Sequence, residues 1–140
     1  MIRPLQAPDL ARAAEIWLST NQKAHDFIPA EYWQDHFDQV KQMLPLAEVY
    51  LYEEQGEIQG FIGLSGSYIA GIFVCGQAQS RGIGRQLLDY AKAGKKRLNL
   101  RVYQKNARAI AFYRREQFEI QAECLDCETG EKEYLMAWEA

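Results

Sequence analysis

Apolar residues recur along this chain in two rhythms, every second position and at three- to four-residue steps, and the switches between them mark out elements. Met1–Leu5 reads as a short first strand. From Asp9, a capping residue type, Leu10, Ala13, Ala14, Trp17 and Leu18 fall on one helical face. A second helix is predicted from about Pro29 to Leu44, with proline near its start, where a missing N–H is tolerated. Val49–Glu54 and Glu57–Leu64 form a hairpin around Gln55-Gly56. The apolar run Ile69–Val74 is a further strand, and after a glycine-bearing turn a helix follows with Ile83, Leu87, Leu88 and Ala91 on its inner face. Leu98–Val102 alternates again, Asn106–Glu116 is a helix, and Phe118–Leu125 with Lys132–Trp138 closes the chain as a hairpin. Strand-helix-strand in the middle and hairpins on either side predict an α/β (α+β) domain, a mixed sheet with helices on both faces.

Gln79-Ser80-Arg81-Gly82-Ile83-Gly84 joins the strand ending at Val74 to the next helix. Glycines leave backbone N–H groups uncovered, and the helix dipole points at the same spot, so the turn is suited to an anion such as phosphate. Two common phosphate motifs are excluded. A P-loop needs Gly-Lys-Ser/Thr, and here Arg85-Gln86 follows the last glycine. A dinucleotide fingerprint needs a third small residue where Leu87 stands, and an acidic residue further on, but none lies between Lys92 and Arg108. A tight strand-to-helix connection without a ligand is the remaining alternative for this turn taken alone.

Composition narrows the class. The 140 residues, 48% hydrophobic and 25% charged, suit one globular domain spanning 1–140. No apolar leader follows Met1 and no run reaches membrane-spanning length, which implies a cytoplasmic protein without a membrane partner. Three cysteines do not make a disulfide scaffold, and Cys124-x-x-Cys127 has no second pair with which to hold a metal, so no metal is expected. Charge is distributed unevenly. Eleven of the 16 Lys and Arg residues fall between Arg81 and Arg115, where Asp89 is the only acid, leaving five basic and 18 acidic residues elsewhere. A phosphate-bearing ligand would favour the basic module, with Arg81 and Arg85 nearest the turn, and the acidic remainder would suit a cationic amine. Nucleic acid is excluded by the acidic balance and the lack of a reader motif.

The set Gln79-x-x-Gly82-x-Gly84, Asn106-x-x-Ala109-x-x-x-Tyr113 and Phe118 resembles the GNAT superfamily of acyl-CoA-dependent N-acyltransferases. Within it, Trp17-Leu18, His25-x-Phe27-Ile28, Tyr32-Trp33 and Val102-Tyr103-Gln104-Lys105-Asn106 are similar to the small bacterial YiaC/YjaB-type acetyltransferases. The resemblance implies a mostly antiparallel central sheet splayed between its fourth and fifth strands. It also implies acetyl-CoA as co-substrate, held by Gln79, Ser80, Arg81, Gly82, Ile83, Gly84 and Arg85 at its pyrophosphate and by backbone at Ile72, Phe73 and Val74 along its pantetheine arm. Asn106 would hydrogen-bond the cofactor, cap its own helix, or do both. The family usually has Gly-Phe after this helix, whereas here the pair is Gln117-Phe118, so strain is expected at Gln117.

Acetyl transfer to an amine sets the remaining requirements. The amine attacks only when neutral, although a free lysine has a pKa of about 10.4, and the departing thiolate, with a pKa of about 8.5, benefits from a general acid. Tyr113 lies two helical turns after Asn106 and on the same side, and the resemblance implies that its hydroxyl stands beside the cofactor sulfur, which makes it the candidate acid, with a core aromatic role as the alternative. The resemblance implies a glutamate base on the fourth strand, as in many relatives, but Ser65-Gly66-Ser67-Tyr68-Ile69 offers none, which leaves His25, Asp26, Glu31, Tyr68 or a water chain, with His25 the candidate whose ordinary pKa fits best. Phe27, Tyr32, Trp33 and Tyr68 line an acceptor pocket or fill the core. The expected function is an acetyl-CoA-dependent N-acetyltransferase acting on a primary amine, either a protein lysine or a small molecule, as a monomer or homodimer. A non-catalytic acyl-CoA-binding module is the alternative, and would have no need of Tyr113.

Overall fold

A computed structural model describes the backbone of residues 1–140 and every side chain except that of Gln77. Seven strands form one sheet in the order β1-β2-β3-β4-β5-β7-β6, namely β1 Ile2–Pro4, β2 Glu48–Glu54, β3 Glu57–Ser65, β4 Tyr68–Val74, β5 Arg97–Tyr103, β6 Glu119–Leu125 and β7 Lys132–Glu139. Every neighbouring pair is antiparallel except β4 and β5. That parallel pair is registered only at Tyr68↔Asn99 and Ile69↔Leu100. Beyond Ile69 the two strands part, and the β5-facing edge of β4 runs on to Val74 without a strand partner.

Two cores pack on the two faces. On one, Ile83, Leu87, Leu88 and Ala91 of α4 (Ile83–Ala93) and Tyr113 of α5 (Ala107–Arg115) meet Ile62, Leu64, Leu98, Leu100 and Met136 of the sheet. On the other, Ala13, Ala14 and Ile16 of α1 (Leu10–Ala24) cover Val49, Leu51 and Phe61. The alternation of β2, Val49 and Leu51 to one face and Tyr50 and Tyr52 to the other, serves both cores. Each fully buried leucine contributes about 1.5–3 kcal/mol of transfer free energy. Among the described residues no helix is long and apolar enough to cross a membrane.

Two local expectations are corrected. The single helix expected from Pro29 to Leu44 is broken into α2 (Ala30–Asp35) and α3 (Phe37–Met43), with His36 at the joint. A continuous helix would give the Tyr32 carbonyl to the His36 backbone N–H. Here the His36 Nδ1–H takes it at 2.6 Å, and the backbone N–H turns to the Trp33 carbonyl at 3.2 Å. Asp9 stands at the start of α1 but caps nothing there. Its carboxylate faces back, accepting from Arg3 Nη1 and from the Gln6 N–H, both at 2.8 Å, and the guanidinium holds its pKa below the usual carboxylate range.

Candidate active site

The parting of β4 and β5 opens one end of the sheet, and the turn after β4 lies at its mouth. A single 3-10 turn, Gly76–Ala78, leads to Ser80 and Gly82, both left-handed with φ of 66° and 81°, and α4 begins at once. Gln86 is the first residue of α4 to bond back, to the Gly82 carbonyl at 3.0 Å. The N–H groups of Gly82, Ile83, Gly84 and Arg85 have no backbone acceptor among the described residues and stand at the positive end of the helix. A Cβ on Gly84 would lie 3.6 Å from the Phe112 ring, an ordinary van der Waals contact, so the packing of α5 against α4 does not by itself call for glycine there.

A groove of about 1360 Å³ runs from this turn along β4 to the C-terminal end of α1 and the inner side of α5. Its wall includes Ile72, Phe73, Val74, Gln79, Ser80, Gly82, Ile83, Gly84, Arg85, Asn106, His25 and Tyr113, drawn together from five separate elements and links. A smaller hollow of about 330 Å³, between the start of α1 and β2, contains no part of the turn or of α5.

Arg81 alone of the candidate cofactor residues is outside that wall. Its guanidinium pairs with Glu54 at 2.7 Å across the outer side of the turn. The cations that do line the groove are Lys23, Arg85, Lys92, Arg108 and Arg115. Arg108 reaches across the mouth, donating to Gln79 Oε1 at 3.3 Å and to Ser80 Oγ at 3.1 Å, while Gln79 Nε2 donates to the Val74 carbonyl at 3.0 Å. Lys92 donates to the Glu116 carbonyl at 2.6 Å and lies over the rings of Phe118 and Trp138. The sequence singled out only Arg81 and Arg85 beside the turn, and not Lys23, Lys92, Arg108 or Arg115. The available signal was their membership of the basic stretch, but Lys23 lies outside even that.

Tyr113 is 8% exposed, and its hydroxyl has no hydrogen-bond partner among the described residues. Burial, with the neighbouring Tyr68 adding to it, pushes its pKa well above the ordinary tyrosine value, so the hydroxyl is a proton donor at neutral pH. Tyr68 is half-buried and its pKa is also raised, chiefly by burial. Asn106 caps α5 by accepting the Ala109 N–H on Oδ1 at 3.2 Å, and its Nδ2 lies 3.1 Å from His25 Nε2. The other His25 nitrogen, Nδ1, lies 3.1 Å from Asn21 Oδ1, and burial lowers the ring's pKa to about 4.

Aromatic side chains gather on the far side of His25. Phe27, Trp33 and Tyr103 surround its ring at centroid distances of 5.7, 5.5 and 4.9 Å. Trp33 is buried against Trp17, and its indole N–H has no partner among the described residues. Tyr32 donates from its hydroxyl to Glu128 at 2.6 Å, tying α2 to the turn between β6 and β7. Asp26 and Glu31 are exposed and absent from the groove wall. Tyr103 and Asn21 were missed as site residues. The i, i+4 spacing of Asn21 and His25 was the readable signal for one, whereas nothing local marked Tyr103.

Comparison with known proteins agrees with this geometry. Residues 45–120 match the family model described as an acetyltransferase (GNAT) domain. The chain is 36% identical over 140 residues to the peptidyl-lysine N-acetyltransferase YiaC of Escherichia coli (strain K12), covering 99% of this chain and 93% of YiaC. It is 30% identical over 106 residues to the peptidyl-lysine N-acetyltransferase YjaB of the same organism, covering 75% of this chain and 72% of YjaB. The solution structure of apo YjaB from Escherichia coli superposes with a TM-score of 0.87, covering 99% of this chain and 96% of that one at 26% identity. YncA from Salmonella typhimurium, a putative acetyltransferase solved with acetyl-CoA, shares the fold with a TM-score of 0.71 at 17% identity, covering 99% and 92% of the two chains.

Proposed function

The chain belongs to the GNAT family of acetyltransferases, and from that premise we propose that it transfers the acetyl group of acetyl-CoA to a protein lysine by direct attack, with Tyr113 as general acid. The observation that carries this reading is the Tyr113 hydroxyl, which has no hydrogen-bond partner among the described residues and stands in the wall of a groove that begins at the uncovered N–H groups of α4. The lysine acceptor is supported by similarity to the peptidyl-lysine N-acetyltransferases.

The residues divide the work as follows. The free N–H groups at the start of α4, with Arg85 and Arg108, hold the pyrophosphate. The unpaired edge of β4 at Ile72, Phe73 and Val74 accepts the pantetheine arm as an added strand and presents N–H groups to the developing oxyanion. The neutral amine nitrogen bonds to the carbonyl carbon, the carbon–sulfur bond breaks, and Tyr113 gives its proton to the departing sulfur. The amine's own proton leaves to water, and Tyr113 regains a proton from water, which restores the starting state. A general acid of this kind accelerates the step by about 10²–10⁴-fold. Phe27, Tyr32, Trp33 and Tyr68, the expected acceptor-pocket aromatics, all lie outside the groove wall: Trp33 is core, Phe27 packs on His25, Tyr32 is held by Glu128 and Tyr68 neighbours Tyr113.

The test is thiol release from acetyl-CoA across lysine peptides, intact proteins and small primary amines. Acceptor-dependent release with lysine peptides supports the reading. Release with small amines alone would make this a small-molecule acetyltransferase, and tight acetyl-CoA binding without release to any acceptor would leave a binding module.

A further inference from the structure

His25 sits at the meeting point of α1 and α5, and a chain of hydrogen bonds passes through its ring. Read from the α1 end, the Trp17 carbonyl can only accept, and it takes the Asn21 amide N–H at 2.8 Å. Asn21 Oδ1 therefore faces His25 as an acceptor, 3.1 Å from Nδ1. Read from the α5 end, the Ala109 backbone N–H can only donate, and it gives to Asn106 Oδ1 at 3.2 Å. Asn106 Nδ2 therefore faces His25 as a donor, 3.1 Å from Nε2. The two ends dictate the same ring state independently. Nδ1 carries the proton and Nε2 offers its lone pair to Asn106.

We propose that His25 is a positioning residue, a neutral Nδ1–H imidazole that locks the Asn106 amide, and with it the start of α5, to the end of α1, and that it takes no proton from the acceptor. The inference rests on the transferase reading for its consequence but not for its geometry. A proton on Nε2 would set two donors, N–H against N–H, at 3.1 Å and break the relay. The groups packed on the ring give such a proton no compensation. Phe27 and Trp33 are apolar there, and the Tyr103 hydroxyl donates away to Asp126 at 2.7 Å. Lys105, over the Phe27 ring at 5.4 Å from its centroid, adds positive charge and pairs with Glu131. No carboxylate meets the ring among the described residues, and burial disfavours the imidazolium further.

The arrangement explains why so polar a link lies in the groove wall. Asn106 spends its carbonyl on capping α5 and one amide N–H on His25, which fixes its rotamer and leaves the second N–H for a ligand. Because Tyr113 lies two turns along the same helix, a start of α5 that rocks would carry the hydroxyl with it.

The first test needs no activity. Imidazole ¹⁵N spectra of the wild-type protein should report a protonated Nδ1 and an unprotonated Nε2 throughout pH 5–8, and an Nε2–H tautomer or a titration midpoint above 6 would overturn the proposal. The second test is kinetic. Phenylalanine keeps the ring's volume and loses both bonds, so His25→Phe should lower kcat/KM by about 10–100-fold through misplacement while the shape of the pH–rate profile stays that of the wild type. Glutamine carries a carbonyl for Asn106 and an amide for Asn21, and His25→Gln should recover most of that loss. If Gln and Phe variants fall equally, by about 10²–10⁴-fold, and a limb of the pH profile vanishes in both, His25 is the base. A wild type that releases no thiol at all would defeat the transferase reading and leave the spectra to decide the ring state.

Discussion

The Phe118 N–H donates to the Tyr113 carbonyl at 2.9 Å, and the two rings meet edge to face with centroids 5.6 Å apart. With the Gln117 N–H bonded to the Arg114 carbonyl at 3.1 Å, this is a Schellman closure of α5. Its left-handed residue is Gln117, with φ of 74°, where the turn is best served by glycine. A side chain in that conformation costs about 1–2 kcal/mol, partly offset because glycine loses more freedom on folding. Gln117→Gly should therefore stabilise the protein by roughly 0.5–1 kcal/mol in urea denaturation. A neutral or negative change would mean the strain is relieved elsewhere.

Tyr113→Phe removes the proposed acid and keeps the ring in its core contacts. We expect kcat to drop about 10²–10⁴-fold, with the acetyl-CoA Kd moved by less than about threefold. Since burial raises the Tyr113 pKa above its ordinary value of about 10, the hydroxyl remains protonated over the working range. The wild-type rate should accordingly climb as the acceptor amine deprotonates, with no descending limb from Tyr113 below about pH 10. A variant as fast as wild type would remove Tyr113 from the chemistry.

Gly82→Glu tests the anion site. No atom lies within 4 Å of an added Cβ, so the obstacle is conformational and electrostatic and not steric. A carboxylate at the helix start would occupy the place of the phosphate and repel it. Calorimetry should find acetyl-CoA affinity reduced at least about 100-fold in a protein that still folds by circular dichroism. Unchanged affinity would take the phosphate role away from the glycine turn.

The two arginines near the turn should separate. Arg108 lines the groove, whereas Arg81 is paired with Glu54 outside its wall. Arg108→Gln should weaken acetyl-CoA binding about tenfold, the effect of losing a charge-assisted hydrogen bond, and Arg81→Gln should weaken it far less. The reverse order, measured by the same titration, would return the phosphate contact to Arg81.

The depressed pKa of His25 has a consequence for stability. The folded protein binds a proton at this ring only near pH 4, whereas the unfolded chain binds one below about 6.5. Between those values the unfolded state holds more protons, so stability falls as pH decreases from about 6.5 towards 4, by up to about 3 kcal/mol in all. The midpoint of thermal unfolding should decline across this window more steeply in the wild type than in His25→Gln. Parallel slopes would mean that the ring is not buried in its neutral form.

Much of the architecture was legible because it rests on local rules. Ile83, Leu87, Leu88 and Ala91 repeat at helical spacing, and all four are buried in α4. Asn106 is a capping residue type at the head of a helical pattern and caps α5. The left-handed backbone at Gln117 was expected from the resemblance, since the family usually has glycine there, a residue suited to that conformation. The break at His36 was hidden because it depends on a side chain outcompeting the backbone for the Tyr32 carbonyl, and hydrophobic periodicity does not register such competition.

What the sequence by itself determined were the elements, the glycine turn, the spacing of Asn106 and Tyr113, and the membership of a family whose motifs they match. The elements and each single motif are set by residues within a helical turn or two of one another, and the family by several such motifs occurring in order. Only the tertiary structure decided which cations face the groove, that Arg81 is drawn off by Glu54, and that His25 is spoken for. Arg81 and Glu54 are 27 residues apart, and His25 and Asn106 are 81 apart. A hydrogen bond has no signature in sequence until both partners are placed, and its direction, which fixes the state of the His25 ring, is set by neighbours further still along the chain.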